Sequence, residues 1–108
     1  MKKFTVNPID LDVELTLIDG EVVNLTSDIR ITKDVIEVGK EIERITKDFT
    51  AIENPTLEQA VDYTTTFLSL IYKKEPVWFA ENVSQEAMNQ MLVYIQGELT
   101  GRRVPEQK

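Results

Sequence analysis

Neither cysteine nor histidine occurs in this chain of 108 residues. Their absence removes Ser-His and Cys-His nucleophile pairs, zinc sites built on imidazole or thiolate, and thiol redox chemistry. It also means a fold without disulfides, which fits a reducing compartment. A chain of this length buries roughly 60 to 70% of the surface its unfolded form exposes, enough for one core and too little for two. Glycine is scarce. Gly20, Gly39, Gly97 and Gly101 stand too far apart for a phosphate-cradling loop or a dinucleotide-binding fingerprint. Long apolar runs are missing too. Val77-Trp78-Phe79-Ala80 and the Ser69-interrupted stretch from Phe67 to Tyr72 fall far short of the ~20 residues of a membrane span. Met1-Lys2-Lys3-Phe4 has the charge of an export signal, but Asp10, Asp12 and Glu14 occupy the place of its apolar core. A soluble, cytoplasmic protein with no membrane segment is expected.

Positive charge is the next deficit. The net charge is −7, spread as −3 over residues 1–32, −2 over 33–53 and −2 over 54–108. Two basic residues stand together only at Lys2-Lys3, Lys73-Lys74 and Arg102-Arg103, three pairs scattered along the chain. A nucleic-acid partner requires a basic face to neutralise phosphates, so none is expected.

What is present divides into a β-like opening and a helical remainder. Val13-Glu14-Leu15-Thr16-Leu17 alternates apolar and polar residues, and Val23-Asn24-Leu25 resumes the alternation beyond Asp19-Gly20. That period of two predicts a β-hairpin within about residues 12–31. A two-residue Asp-Gly turn would set Leu15 opposite Asn24. A three-residue loop that sets Leu17 opposite Val23 and Leu15 opposite Leu25 pairs apolar with apolar and is preferred. Ile29 and Ile31 flank Arg30 with the same alternation and offer a short third strand, while Asn7-Pro8 reads as a turn or an edge.

Beyond Thr32, positioned as an N-cap, Val35, Val38, Ile42, Ile45, Phe49 and Ile52 recur at spacings of 3, 4, 3, 4 and 3. This is an apolar helix face over 33–52. On its polar side Glu43 to Lys47 and Arg44 to Asp48 are four apart, placed to form ion pairs. The stripe covers fewer than three heptads, so it favours packing inside the domain over a coiled coil. Gly39 interrupts it and marks either close packing or a bend. Asn54-Pro55 ends the helix, and Thr56 with Gln59 has the form of a capping box opening a second helix over 57–74. Lys73-Lys74 suits that helix's C-terminus, and Pro76 starts a short helix over 76–82. Ser84 caps a last helix over 85–99, with Val83 and Met88 placed as a hydrophobic staple. Met88, Met91, Leu92, Ile95 and Leu99 line one of its faces. Gly101 terminates it, and 102–108 reads as a polar tail. The predicted class is α+β, mainly α: one domain over 1–101, a hairpin followed by three to four helices.

Carboxylates are the chemistry that remains. Asp10, Asp12 and Glu14 at alternate positions could share a strand face and offer oxygen to a hard cation, but they match no calcium loop; a charged edge that discourages strand pairing explains them as well. No catalytic residue, metal ligand or cofactor is therefore assigned. Binding features are richer. Trp78 and Phe79 are adjacent and cannot point the same way from a short helical turn, which leaves room for one of them to stay exposed. Met88, Met91 and Tyr94 follow within the same C-terminal stretch; large apolar residues usually lie inside, so filling the one core is the first reading of all five, while aromatics and methionines also suit adaptable protein surfaces. The candidate partner contacts are Val35, Val38, Ile42, Ile45 and Phe49 on one stripe, Met88, Met91 and Ile95 on another, and Trp78 with Phe79 between them. Whichever stripe the core leaves free would take a partner helix.

A short N-terminal hairpin from Val13 to Leu25, a long amphipathic helix from Lys33 to Ile52 with Gly39 within it, and two further helices in an acidic chain resemble the tail assembly chaperones of long-tailed bacteriophages. The resemblance spans most of the chain and is one of architecture and composition. It implies a protein made in the infected bacterium that coats the tape measure protein, an extended helical chain, until tail tube subunits replace it, and that self-associates. A small regulator of the antitoxin or inhibitor type and a structural virion subunit are the alternatives.

Overall fold

The computed structural model describes residues 1–4 and 9–100. The chain is of the α+β class, mainly α. Two strands, β1 (Val13–Thr16) and β2 (Val22–Leu25), form an antiparallel hairpin. Four helices follow: α1 (Thr32–Thr50), α2 (Leu57–Tyr72), α3 (Pro76–Asn82) and α4 (Gln85–Thr100). The turn read at Asn7-Pro8, the terminator Gly101 and the tail 102–108 lie outside the described residues.

The hairpin has a different register from the expected one. Val13 pairs with Leu25 and Leu15 with Val23, two residues away from the pairing of Leu15 with Leu25 and Leu17 with Val23. The cause is the place of Gly20 in the loop. At φ +93 it is the last residue of the loop Ile18-Asp19-Gly20, not a middle one, and its N–H donates to the Leu17 carbonyl at 2.9 Å. Asp19 Oδ1 accepts from the Glu21 N–H at 2.9 Å and completes the turn. Only glycine takes that backbone without strain. Because the displacement is even, every side chain keeps its expected face. Leu15, Leu17 and Leu25 are buried while Glu14, Thr16 and Asn24 face solvent.

No third strand forms at Ile29 to Ile31, although burial still alternates through Ser27 and Ile29. A side chain takes the place of the ladder there. Asp12 Oδ1 accepts from the Ser27 N–H at 3.0 Å, its Oδ2 meets Arg30 Nη2 at 3.3 Å, and one backbone bond, Ile9 N–H to Arg30 O at 2.9 Å, runs alongside.

The helix boundaries follow the expected caps with one exception. Thr32 lies inside α1, and Ile31 is the cap residue. Ile31 has no side-chain acceptor, so Asp34 reaches back instead, its Oδ2 accepting from Arg30 N–H at 3.0 Å and Ile31 N–H at 3.3 Å. Those two bonds hold the Asp34 carboxyl below the usual aspartate pKa. At α2 the capping box forms as read: Thr56 Oγ1 accepts from Gln59 N–H at 3.1 Å and Gln59 Oε1 from Thr56 N–H at 2.9 Å. α2 stops at Tyr72, short of 74, because Lys73 turns left-handed at φ 62. The Ser69 hydroxyl donates to the Lys74 carbonyl beyond that turn. Pro76 starts α3, and Ser84 Oγ accepts from Ala87 N–H at 3.2 Å at the start of α4, where Val83 and Met88 are both buried.

The core is one cluster. It takes Leu11, Leu15, Leu17, Leu25 and Ile29 from the N-terminal third, Phe67, Leu68, Ile71 and Tyr72 from α2, Phe79 from α3, and Met88, Met91 and Ile95 from α4. α2 is the hub on which α1, α3 and α4 pack. Two tyrosines clamp the segment before β1. The buried Tyr72 hydroxyl donates to the Leu11 carbonyl at 2.6 Å, and the Tyr94 hydroxyl to the Asp10 carbonyl at 2.9 Å. Burial first, then the neighbouring Tyr94, Asp12 and Asp10, push the Tyr72 phenol well above its ordinary pKa, so it remains a donor.

Candidate partner-binding groove

α1 packs on α2, but its apolar stripe is incompletely covered. Of its apolar stripe only Ile45 is buried; Val35, Val38, Ile42 and Phe49 are half-buried against the core, and Ile36 is exposed. An amphipathic helix normally hides such a stripe, and an incompletely covered one marks a surface that another molecule can bury. The covered portion lies toward the C-terminal end. There Phe49 stacks on Tyr63 of α2, ring centroids 4.6 Å apart and planes within 10°, and the Thr46 and Tyr63 hydroxyls are 2.9 Å apart. Tyr63 in turn meets Phe67 edge-on at 6.2 Å.

Toward the N-terminal half of α1 the packing opens into a groove of about 490 Å³. Val35, Gly39, Ile42 and Glu43 of α1 form one wall, Gln96 and Leu99 of α4 the other, and Phe67 of α2 lies at the base. Gly39 widens it. A Cβ built on Gly39 would meet no atom within 4 Å, so neither close internal packing nor a left-handed backbone demands a glycine there. The reading of Gly39 as a close-packing site within the domain is thus corrected. The residue costs the helix about 1 kcal/mol relative to alanine and leaves open space where an approaching backbone would fit.

The second expected stripe is not a surface. Phe79, Met88, Met91 and Ile95 are all core residues, between 0% and 6% exposed, and so contribute no free contact. The reason is the short α3: its turn drives Phe79 inward and lays α4 against α2, which leaves no other apolar partner for the Met88 to Ile95 face. Trp78 takes the other side of that turn and is half-buried, edge-on to Phe79 at 5.1 Å, with Lys74 Nζ 4.7 Å from its ring. Of the residues singled out in the sequence, Val35 and Ile42 therefore meet in the groove. Val38 faces a small cavity of about 100 Å³ beside Ile29 and Lys73, and Ile45 and Phe49 line a separate cleft.

No family model, curated protein or solved structure matches this chain. The site stands on its own geometry.

Sequence reasoning missed two contributors to the groove, Phe67 and Gln96, which lie on helices other than α1; Leu99, read as the end of the apolar face of α4, does line it. The signal that could have found the site was Gly39, a glycine inside an otherwise unbroken helix pattern. The acidic triplet Asp10, Asp12 and Glu14 is not gathered into a site. Asp12 is engaged by Ser27 and Arg30, Asp10 Oδ1 accepts from the Asp12 N–H at 3.0 Å, and among the described residues no group of three or more acids is placed to hold a metal ion. On the polar side of α1, Arg44 carries the ion pairs, to Glu41 at 2.8 Å and Asp48 at 3.6 Å, and the expected pair of Glu43 with Lys47 does not form. Among the described residues no helix is long and apolar enough to cross a membrane.

Proposed function

We propose that the chain is a non-catalytic protein-binding protein that receives an amphipathic helix of its client in the groove between α1 and α4. The observation that carries this reading is the half-covered apolar stripe of α1 beside the open flank of Gly39, with Phe67 below and Leu99 opposite. A helix seated there completes the burial that α1 lacks and brings its backbone close at the one position without a side chain.

The client is an extended, largely helical chain, and the role is that of a tail assembly chaperone holding a tape measure protein soluble in the host cytoplasm. Such a client displays many apolar helix faces that would otherwise aggregate. A carrier with an apolar groove and a net charge of −7 covers them and keeps the assembly in solution. A modest groove also suits reversible coating. Many copies on one client, associating with one another along it, hold by avidity, while each can be displaced in turn.

Co-expression with the long tape-measure-like product of the chain's own locus tests this, read by size exclusion with light scattering. The expected result is a soluble client carrying several copies per chain, and a Gly39→Leu variant, which fills the groove, that loses most of them. A client that stays insoluble beside ample soluble partner would sink the carrier role and favour a regulator with one folded target.

A further inference from the structure

On the other flank of the α1–α2 seam lies a cleft of about 280 Å³, lined by Ile45, Asp48, Phe49 and Ile52 on one side and Gln59, Asp62, Tyr63 and Thr66 on the other. Residues 35, 39 and 42 and residues 45 and 48 project to opposite edges of the α1 stripe at 100° per residue, so this cleft is separate from the groove. Its composition is unusual for this surface. Two aliphatic residues and a stacked aromatic pair make the walls, and two aspartates flank the opening.

The carboxylates are available. Asp62 has no cationic partner among the described residues, and Asp48 has only the exposed Arg44 at 3.6 Å, which is itself held more closely by Glu41 at 2.8 Å. Gln59 is already committed to the α2 cap and the Tyr63 hydroxyl to Thr46, so neither competes for the acids. The volume falls just below the ~300–1,000 Å³ of typical small-molecule pockets and suits one long side chain.

We propose that this cleft is a socket for a single cationic side chain, arginine above lysine, projecting from a helix of a partner protein. An apolar stem lies along Ile45, Ile52 and the aromatic pair while the charged head reaches Asp62 and Asp48. Arginine is preferred because its planar guanidinium stacks on aromatic rings and bonds carboxylates in pairs. The proposal rests on the reading that the chain's partner is a helical protein segment, and it adds the chemistry of that segment: an apolar stripe flanked by arginine. An acidic chain of net charge −7 complements such a partner.

The test uses two synthetic amphipathic helices that share a leucine stripe and differ only in carrying arginine or glutamate beside it, titrated into the whole chain and followed by backbone amide NMR. The arginine helix should shift resonances of residues 45–66, weaken steeply with added salt, and bind at least roughly tenfold less well to Asp62→Asn and to the double variant D48N/D62N. The glutamate helix should leave that region unmoved. Undiminished binding of the arginine helix by D48N/D62N, shifts confined to Val35, Ile42 and Leu99, or equal binding of both helices would each overturn the socket. Gly39→Leu separates the two sites. It should spare the arginine-dependent shifts, so a failed groove in the client assay and a failed socket here are read independently.

Discussion

Replacing Gly39 with alanine should stabilise the protein while narrowing the groove, an opposition of signs that few substitutions offer. The built Cβ meets nothing within 4 Å, so the alanine methyl has no steric cost and the gain is the intrinsic difference in helix propensity, about 1 kcal/mol. For 108 residues the entropy of unfolding near the midpoint is about 0.23 kcal/mol/K, which converts that gain into a rise in Tm of about 4 °C. Gly97 is the control. It too lies inside a helix with nothing within 4 Å of its Cβ, yet it does not line the groove, so Gly97→Ala should raise Tm by a similar or, near the helix end, smaller amount. Helical circular dichroism during thermal unfolding measures both, and co-purification with the helical client measures binding. The expected pattern is two stabilised proteins, of which only Gly39→Ala binds less client. A fall in Tm for Gly39→Ala would show that the glycine serves the fold after all. Unchanged client binding by Gly39→Leu would show that the groove is not used.

Other substitutions test the frame around the groove. Tyr72→Phe removes the donor to the buried Leu11 carbonyl and should cost about 1–3 kcal/mol in urea unfolding, with m unchanged; a cost under half a kcal/mol would mean that the clamp is dispensable. Lys73→Gly relieves a left-handed backbone at φ 62 and should stabilise by about 1 kcal/mol, seen as a higher denaturation midpoint. The Asp34 carboxyl, titrating below its ordinary value because it accepts two backbone N–H bonds, contributes stability that is fully present above the unfolded aspartate pKa and is lost as pH falls through the lowered one. Asp34→Asn should therefore lose stability at neutral pH and show a shallower acid dependence than the parent, with amide exchange fastest at Arg30 and Ile31.

The sequence by itself determined the elements. Two-residue alternation from Val13 to Leu25 and the stripe from Val35 to Phe49 are local patterns, and Thr56 with Gln59, Pro76 and Ser84 act within a single turn, so they could be read without knowing what packs on what. The same locality explains the failures in detail. The register depended on whether Gly20 ended the loop or stood within it, and the Asp34 bonds to Arg30 and Ile31 replaced the expected Thr32 cap; both choices are made by backbone geometry that composition does not encode. Which apolar stripe would remain free was a tertiary decision. α1 and α4 carry comparable faces, but α4 was laid on α2 by the short turn through Phe79 and placed Met88, Met91 and Ile95 in the core, whereas α1 placed Ile45 there and left Val35, Val38 and Ile42 half-covered. A stripe reports only that burial is favourable. The layout of the other helices decides whether the chain supplies that burial itself or leaves it to a partner.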